Sequence, residues 1–386
     1  MQLDASVMPS KSKEGIIFNS SPKPTLGVEV ELQIIDPETG VAVNRAQDVF
    51  KALNNDFFYK TELFQSIVEI TTDVCTDVAD VEKDLGGKLK KMQKALKGMG
   101  LSAIGAGVHP FTTWRDLEIS PDPRYRKLVD TMAWPARRLA ITGLHVHVGI
   151  DSGEKAIQVV NAARSFIPHM LAVSASTPFW MGEKTGLAST RTKVFEGLPT
   201  AGLPPRLTNW SDFISFMRTL INGGTIQTIR EVWWDIRPHP GFGTVEIRVC
   251  DGVSTFEEIL GIVAMIQALV VWFGDLYDNG DELPILKQWT VQQNKWRGAR
   301  WAEEANIIVN EHGDQAPLRG KMDEIIRLLE NYAKDLGSLP YLEKVPGFLD
   351  NPSYKRQLRV FKETQSLQEV TAHLQREWEN WKPENI

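Results

Sequence analysis

WWDIRPHPGFGTVEIRVCD, residues 233–251, alternates apolar and polar side chains on both sides of a glycine-flanked turn. Apolar residues at every second position place one strand face in a core and leave the other to polar groups. Val245, Ile247 and Val249 therefore share a buried face, and Glu246 and Arg248 share the opposite one. Upstream, Trp233, Asp235 and Arg237 alternate with Trp234 and Ile236, and Gly241-Phe242-Gly243 supplies a hairpin turn between the runs.

Three other segments repeat this pattern. Leu26 to Ile34 turns Val28, Val30, Leu32 and Ile34 one way and Gly27, Glu29, Glu31 and Gln33 the other. Gln65 to Thr72 sets Val68 and Ile70 against Gln65, Glu69 and Thr71, and Leu144 to Ile150 leaves His145, His147 and Gly149 on its polar side. Helical patterns fill the intervals: Asp77 to Gly98, Glu154 to Ser174, Trp210 to Ile221, Phe256 to Tyr277, Leu286 to Val309, Lys321 to Leu336, and Tyr354 to Trp381. Ser254-Thr255-Phe256-Glu257 reads as a capping box that starts a helix directly after the Glu246 strand. Hairpins alternating with helices, without βαβ repeats, predict an α+β fold on a mainly antiparallel sheet. The Gly-, Pro- and Thr-rich stretch Arg191 to Arg206 predicts a long surface loop, a type often used as a lid.

At 386 residues, 42% hydrophobic and 24% charged, the chain is an ordinary globular protein with enough length for a large core. Residues 1–24 read as a loose N-terminal arm, and 25–386 as one catalytic domain with helical insertions. A net charge of -6 argues against a nucleic-acid surface. Two cysteines, Cys75 and Cys250, are too few for a disulfide framework and suit a reducing compartment, so the expected location is the cytoplasm. The start lacks a basic segment followed by an apolar one, and no secretory signal is expected. Ile259 to Phe273, the most apolar stretch, reads as a buried helix too short to span a membrane.

If the four strands share a sheet, Glu29, Glu31, Glu69, Glu246 and His145 converge with Arg248 and Arg237. An exposed sheet face carries such residues simply because it meets water, and for any one strand that is the commoner case. Carboxylates crowded together, however, cannot all stay ionised without compensating cations. Hard oxygen donors with one imidazole and no thiolate suit Mg2+ or Mn2+, bound together with nucleotide phosphates. Arginine forks match phosphoryl oxygens and keep their charge, which makes Arg248 the first candidate for that contact. The competing reading of Arg248 is an ion pair with Glu246 or Asp235.

TLGVEVELQIIDPETG, SIVEITTD, GVHP, ITGLHVHVG, STRTKVFEGLP and the 233–251 block stand in order along the chain. Together they resemble the second glutamate-cysteine ligase family, the bacterial carboxylate-amine ligases. The resemblance implies a glutamine-synthetase-like fold, in which a curved antiparallel sheet forms a funnel holding ATP and metal ions. Carried over, Glu29, Glu31, Glu69, His145 and Glu246 fall on metal-ligand positions and Arg248 on a phosphate-contacting arginine. Arg191 falls in the lid-like block, at a substrate or phosphate arginine. Arg237 and Arg124 are further nucleotide-binding candidates. Asn294, Arg297 and Trp301 share one helix side that either floors a nucleotide or supports the core. His109 and His147 are open between a substrate role and a structural one, and Cys250 is read as structural for want of a group to activate it.

The activity this implies is ATP-dependent joining of a carboxylate to an amine through an acyl phosphate, as by glutamate–cysteine ligases. Expected partners are ATP, an amino acid and an amine, with a homodimer suggested by the resemblance and neither nucleic acid nor membrane. A metal-dependent hydrolase using the same Glu and His groups, and a non-catalytic nucleotide-binding protein, are the alternatives.

Overall fold

The alternating runs pair with one another in the computed structural model, which describes residues 16–384. Seven strands form one sheet: β1 (Leu26–Ile35), β2 (Tyr59–Thr61), β3 (Ile67–Thr71), β4 (Ser102–Ile104), β5 (Leu144–Gly149), β6 (Ile236–His239) and β7 (Thr244–Ile247). Their order is β6-β7-β5-β1-β3-β2, with β4 on the far end of β1, and every pairing is antiparallel. β1 is central because Val28, Val30, Leu32 and Ile34 are all buried.

The helices that position the site are α1 (Val78–Gly98), α2 (Pro123–Met132), α3 (Gly153–Ala163), α4 (Ile167–Ser174), α5 (Thr190–Phe195), α6 (Trp210–Asn222), α7 (Phe256–Asn279) and α8 (Gln288–Trp301). α7 packs on α3, α1 and β5. By length and composition alone α7 is long and apolar enough to cross a membrane, more than the sequence reading allowed. Its apolar window is 78% buried inside the protein, as expected of a core helix. Thr255 caps it, accepting from Glu258 N at 3.1 Å, one residue later than the box read from the sequence.

Several runs break where the backbone changes hand or proline intervenes. The 154–174 run is interrupted by a 3-10 turn at Arg164–Phe166, and Pro168 opens α4. The 286–309 run stops at Trp301 because Ala302 takes φ +46°, and Asn306–Ile308 then pairs with Gln315–Pro317. The C-terminal run divides at Gln365, φ +54°, after which Ser366 caps a second helix.

The expected surface loop at 191–206 is not one. It begins as α5, whose Val194 packs with Leu198 in a buried cluster, and Ala201–Gly202 then pairs in parallel with Trp233–Trp234. Burial of Val194 and Leu198 against residues distant in sequence, such as Leu63 and Ile141, outweighed the Gly and Pro content. Of the expected arm, residues 1–15 lie outside the described residues. Further on, Asn19 N donates to Pro240 O at 2.9 Å, Ser21 N to Ile150 O at 2.8 Å, and Gln267 Nε2 to Pro24 O at 2.8 Å.

Candidate active site

Strand register brings the charged side chains together. Glu29 lies opposite His145 on β5 and Thr71 on β3, and Glu31 lies opposite Glu69. Glu246 lies between His147 and Arg237. Because all of these alternate with core residues, they project from one sheet face.

Two groups of ligand-type atoms result, each within 4.8 Å internally: Glu29, His147 and Glu246, and Glu31, Glu62 and Glu69. In the first, His147 Nδ1 contacts Thr244 Oγ1 at 2.9 Å, which leaves Nε2 3.7 Å from Glu29 and 3.9 Å from Glu246. His145, the imidazole chosen from the sequence, stands between the groups instead. Its Nδ1 is 3.1 Å from Glu29, and its buried Nε2, 3.9 Å from Glu31, has no hydrogen-bond partner among the described residues.

The two groups are electrostatically opposite. Burial works to raise Glu29, yet its hydrogen bonds to His145 and His147 outweigh that and hold the carboxyl well below its usual value. Burial opposes ionisation of Glu246 as well, and Arg237 and Arg248 overcome it. In the second group burial wins. It pushes Glu31 up to about 7 against the pull of Arg191. Burial and the neighbouring Glu69 and Glu31 raise Glu62, while burial and Glu29 raise Glu69 despite Lys60 at 2.9 Å. Three carboxylates, Glu69 buried and Glu62 half-buried, with one lysine at hydrogen-bond distance and beside an imidazole nitrogen that has no partner among the described residues, form a donor set that a divalent magnesium or manganese ion fits.

Arginines border the groups. Arg237 Nε donates to Glu246 at 2.7 Å and Nη1 to Val232 O at 2.7 Å. Arg248 Nη1 pairs with the other Glu246 oxygen, so the ion-pair reading of Arg248 holds, while its buried Nε has no partner among the described residues. Asp235, the alternative partner, belongs to Lys295 at 2.6 Å. Arg191 Nη1 reaches the carbonyls of Arg248 and Val249 at 3.3 and 3.4 Å. A Cβ at Gly143 would collide with the Arg191 guanidinium and stand 3.0 Å from His145 Nε2, which explains why glycine precedes Leu144. Arg124, on α2, bonds the Tyr125 hydroxyl at 2.6 Å, and its charge acts on Glu62.

Other candidates lie elsewhere. Asn294 exchanges 2.8 Å bonds with the backbone of Ile308, and Arg297 donates to Asn306 O at 2.7 Å. Both serve the short hairpin after α8, the supporting role of the two readings, rather than the carboxylate face. His109 is structural: Nδ1 accepts from Phe111 N and Thr112 N, and Nε2 is 2.9 Å from Gly40 O. Burial pushes the Cys250 thiol up to about 12, in keeping with its structural reading.

Sequence reading missed Glu62 and Lys60. The signal was present, since Lys60 and Glu62 alternate with the buried Tyr59 and Leu63, but the run is too short to stand out.

The chain is similar to known proteins along most of its length. Relatives from Gloeobacter violaceus and Thermobifida fusca, both named provisionally as glutamate–cysteine ligase 2, are each 42% identical. They match over 365 residues (93% of this chain, 98% of the relative) and 370 residues (94% and 93%) respectively. Among solved structures, the Francisella tularensis glutamate–cysteine ligase in complex with AMP superposes with TM-score 0.70 at 12% identity, over 93% of this chain and 89% of that one. The bifunctional glutathione synthetase of Pasteurella multocida gives 0.68 at 13% identity, over 93% of this chain and 52% of that one. These two establish a shared fold. With the model of glutamate-cysteine ligase family 2 matching residues 25–373, the chain belongs to that family and is an enzyme of the carboxylate–amine ligase class.

Proposed function

We propose that the protein joins the γ-carboxyl of glutamate to an amine such as that of cysteine, in the cytoplasm, through an acyl phosphate made from ATP. The observation carrying this reading is the pairing, on one sheet face, of an arginine-compensated group with a carboxylate group that its neighbouring cations compensate only in part. The first, Glu29, His147 and Glu246 beside Arg237 and Arg248, suits a cation bound with nucleotide phosphates. The second, Glu31, Glu62 and Glu69, would hold a further cation, with His145 between the two. Bound divalent cations would offset charge on phosphate oxygens.

The protein's own part is position and charge. A carboxylate oxygen of the acid attacks the γ-phosphorus, and the bond to the β-phosphate oxygen breaks to release ADP. The amine nitrogen then attacks the acyl carbon, phosphate leaves, and the amine loses a proton. Arg248 and Arg191 keep their charge as negative charge moves between oxygens; Arg248 favours the transition state, and Arg191 also holds the bound nucleotide. No enzyme nucleophile is needed. Incubation with Mg-ATP, glutamate and hydroxylamine tests the order of events. A hydroxamate and ADP are expected, whereas AMP would replace phosphoryl transfer with adenylation.

A further inference from the structure

The NKWRGARW segment (294–301) sends Asn294 and Arg297 to a hairpin, but Lys295 points the other way. It is 2% exposed, and its Nζ lies 2.6 Å from both Asp235 and Glu196. Asp235 belongs to the arginine hairpin: its carbonyl accepts from Arg248 N at 2.8 Å, and Arg237 follows two residues later. Glu196 directly follows α5, the helix that carries Arg191. One ammonium therefore joins the two pieces of chain that deliver the site's arginines.

Arg191 needs such a device. Its own side-chain bonds are long, 3.3 and 3.4 Å, and its buried Nε has no partner among the described residues. The guanidinium is therefore placed by its helix. Thr177 Oγ1 fixes the N-terminal end by accepting from Thr190 N and Arg191 N at 2.7 and 3.3 Å. At the other end Glu196 binds Lys295 and, at 2.5 Å, Lys193, before Ala201–Gly202 pairs with Trp233–Trp234.

We propose that Lys295 is a positioning residue that fixes the Arg191 helix against the Arg237–Arg248 hairpin. This inference rests on the ligase reading of the site. Replacing Lys295 leaves the carboxylates of Asp235 and Glu196 facing each other, and their repulsion moves α5 rather than the strand, which the sheet holds.

Lys295→Met removes the charge, and Glu196→Gln cuts one arm at a half-buried position that tolerates it. Two readouts are taken on the full chain: amide exchange of residues 190–202, and Mg-ATP affinity by calorimetry. Exchange there should rise roughly 10-fold in both variants while β5 stays protected. Mg-ATP affinity should fall by about 10-fold, as when a group that orients a binding residue is lost. Combined with Arg191→Lys, Glu196→Gln should add no further loss, because both act through one guanidinium. Additive losses, or a lowered melting temperature with exchange and affinity unchanged, overturn the positioning role alone. An Arg191→Lys variant with unaltered affinity removes Arg191 from the site, and that overturns both the role given to it above and the proposal.

Discussion

Glu246 is paired with Arg237 and Arg248 while standing opposite His147, so it serves stability and site at once. Glu246→Gln should lower metal and ATP affinity together, and should cost about 2 kcal/mol of stability because two largely but not fully buried guanidiniums lose their charged partner. Calorimetry and urea melts check both. Arg248→Lys keeps the charge but loses the planar fork. Turnover should fall on the order of 100-fold, with nucleotide binding less affected. A normally active Arg248→Lys enzyme would remove Arg248, just past β7, from the chemistry.

His109 predicts pH dependence away from the site. Burial lowers its pKa from 6.5 to about 4, and two backbone N–H groups aimed at Nδ1 oppose a proton there. The folded group binds protons more weakly than the unfolded one, so its stabilisation is complete above pH 6.5 and is lost as pH falls through 4. The full effect is on the order of 3 kcal/mol. Denaturant melts between pH 7 and pH 4 should show a shallower slope in His109→Gln than in the unaltered protein.

At the level of elements, the β6–β7 hairpin depends on its turn. Gly243 has φ +67°, and a Cβ there would strike Asn19 O, part of the segment laid across the turn. Gly243→Ala combines a left-handed backbone with a clash. A loss of about 2 kcal/mol is expected, measured by urea melts, with Mg-ATP affinity also reduced because Glu246 rides on the same hairpin. Thr255→Ala removes one capping acceptor from α7 and should cost about 1 kcal/mol. The contrast between these two values separates a cap from a steric stop.

For the whole molecule, the partly compensated group of Glu31, Glu62 and Glu69 repels phosphates until a further cation is present. Calorimetry should therefore show ATP binding in Mg2+ or Mn2+ and little in EDTA, and Mg2+ should raise the melting temperature of the protein without nucleotide. Tight ATP binding in EDTA would count against both cation sites.

The strands and the side chains they bring together were legible in the chain because alternation is local: Glu29, Glu31, Glu69, Glu246, Arg237 and Arg248 each follow from a two-residue period beside a core residue. The family was legible for the same reason, since its blocks are contiguous. Which imidazole joins which carboxylates was not, because His145 and His147 share a face and only the β1–β5–β7 register sets their distances to Glu29 and Glu246. Glu62 joined the site through a three-residue strand too short to carry a pattern. The 191–206 segment looked like a loop because its Gly and Pro are local signals, whereas the burial that orders it comes from chain far away. Lys295, Asp235 and Glu196 meet from three separate segments. Contacts of that kind belong to packing, and no sequence period announces them.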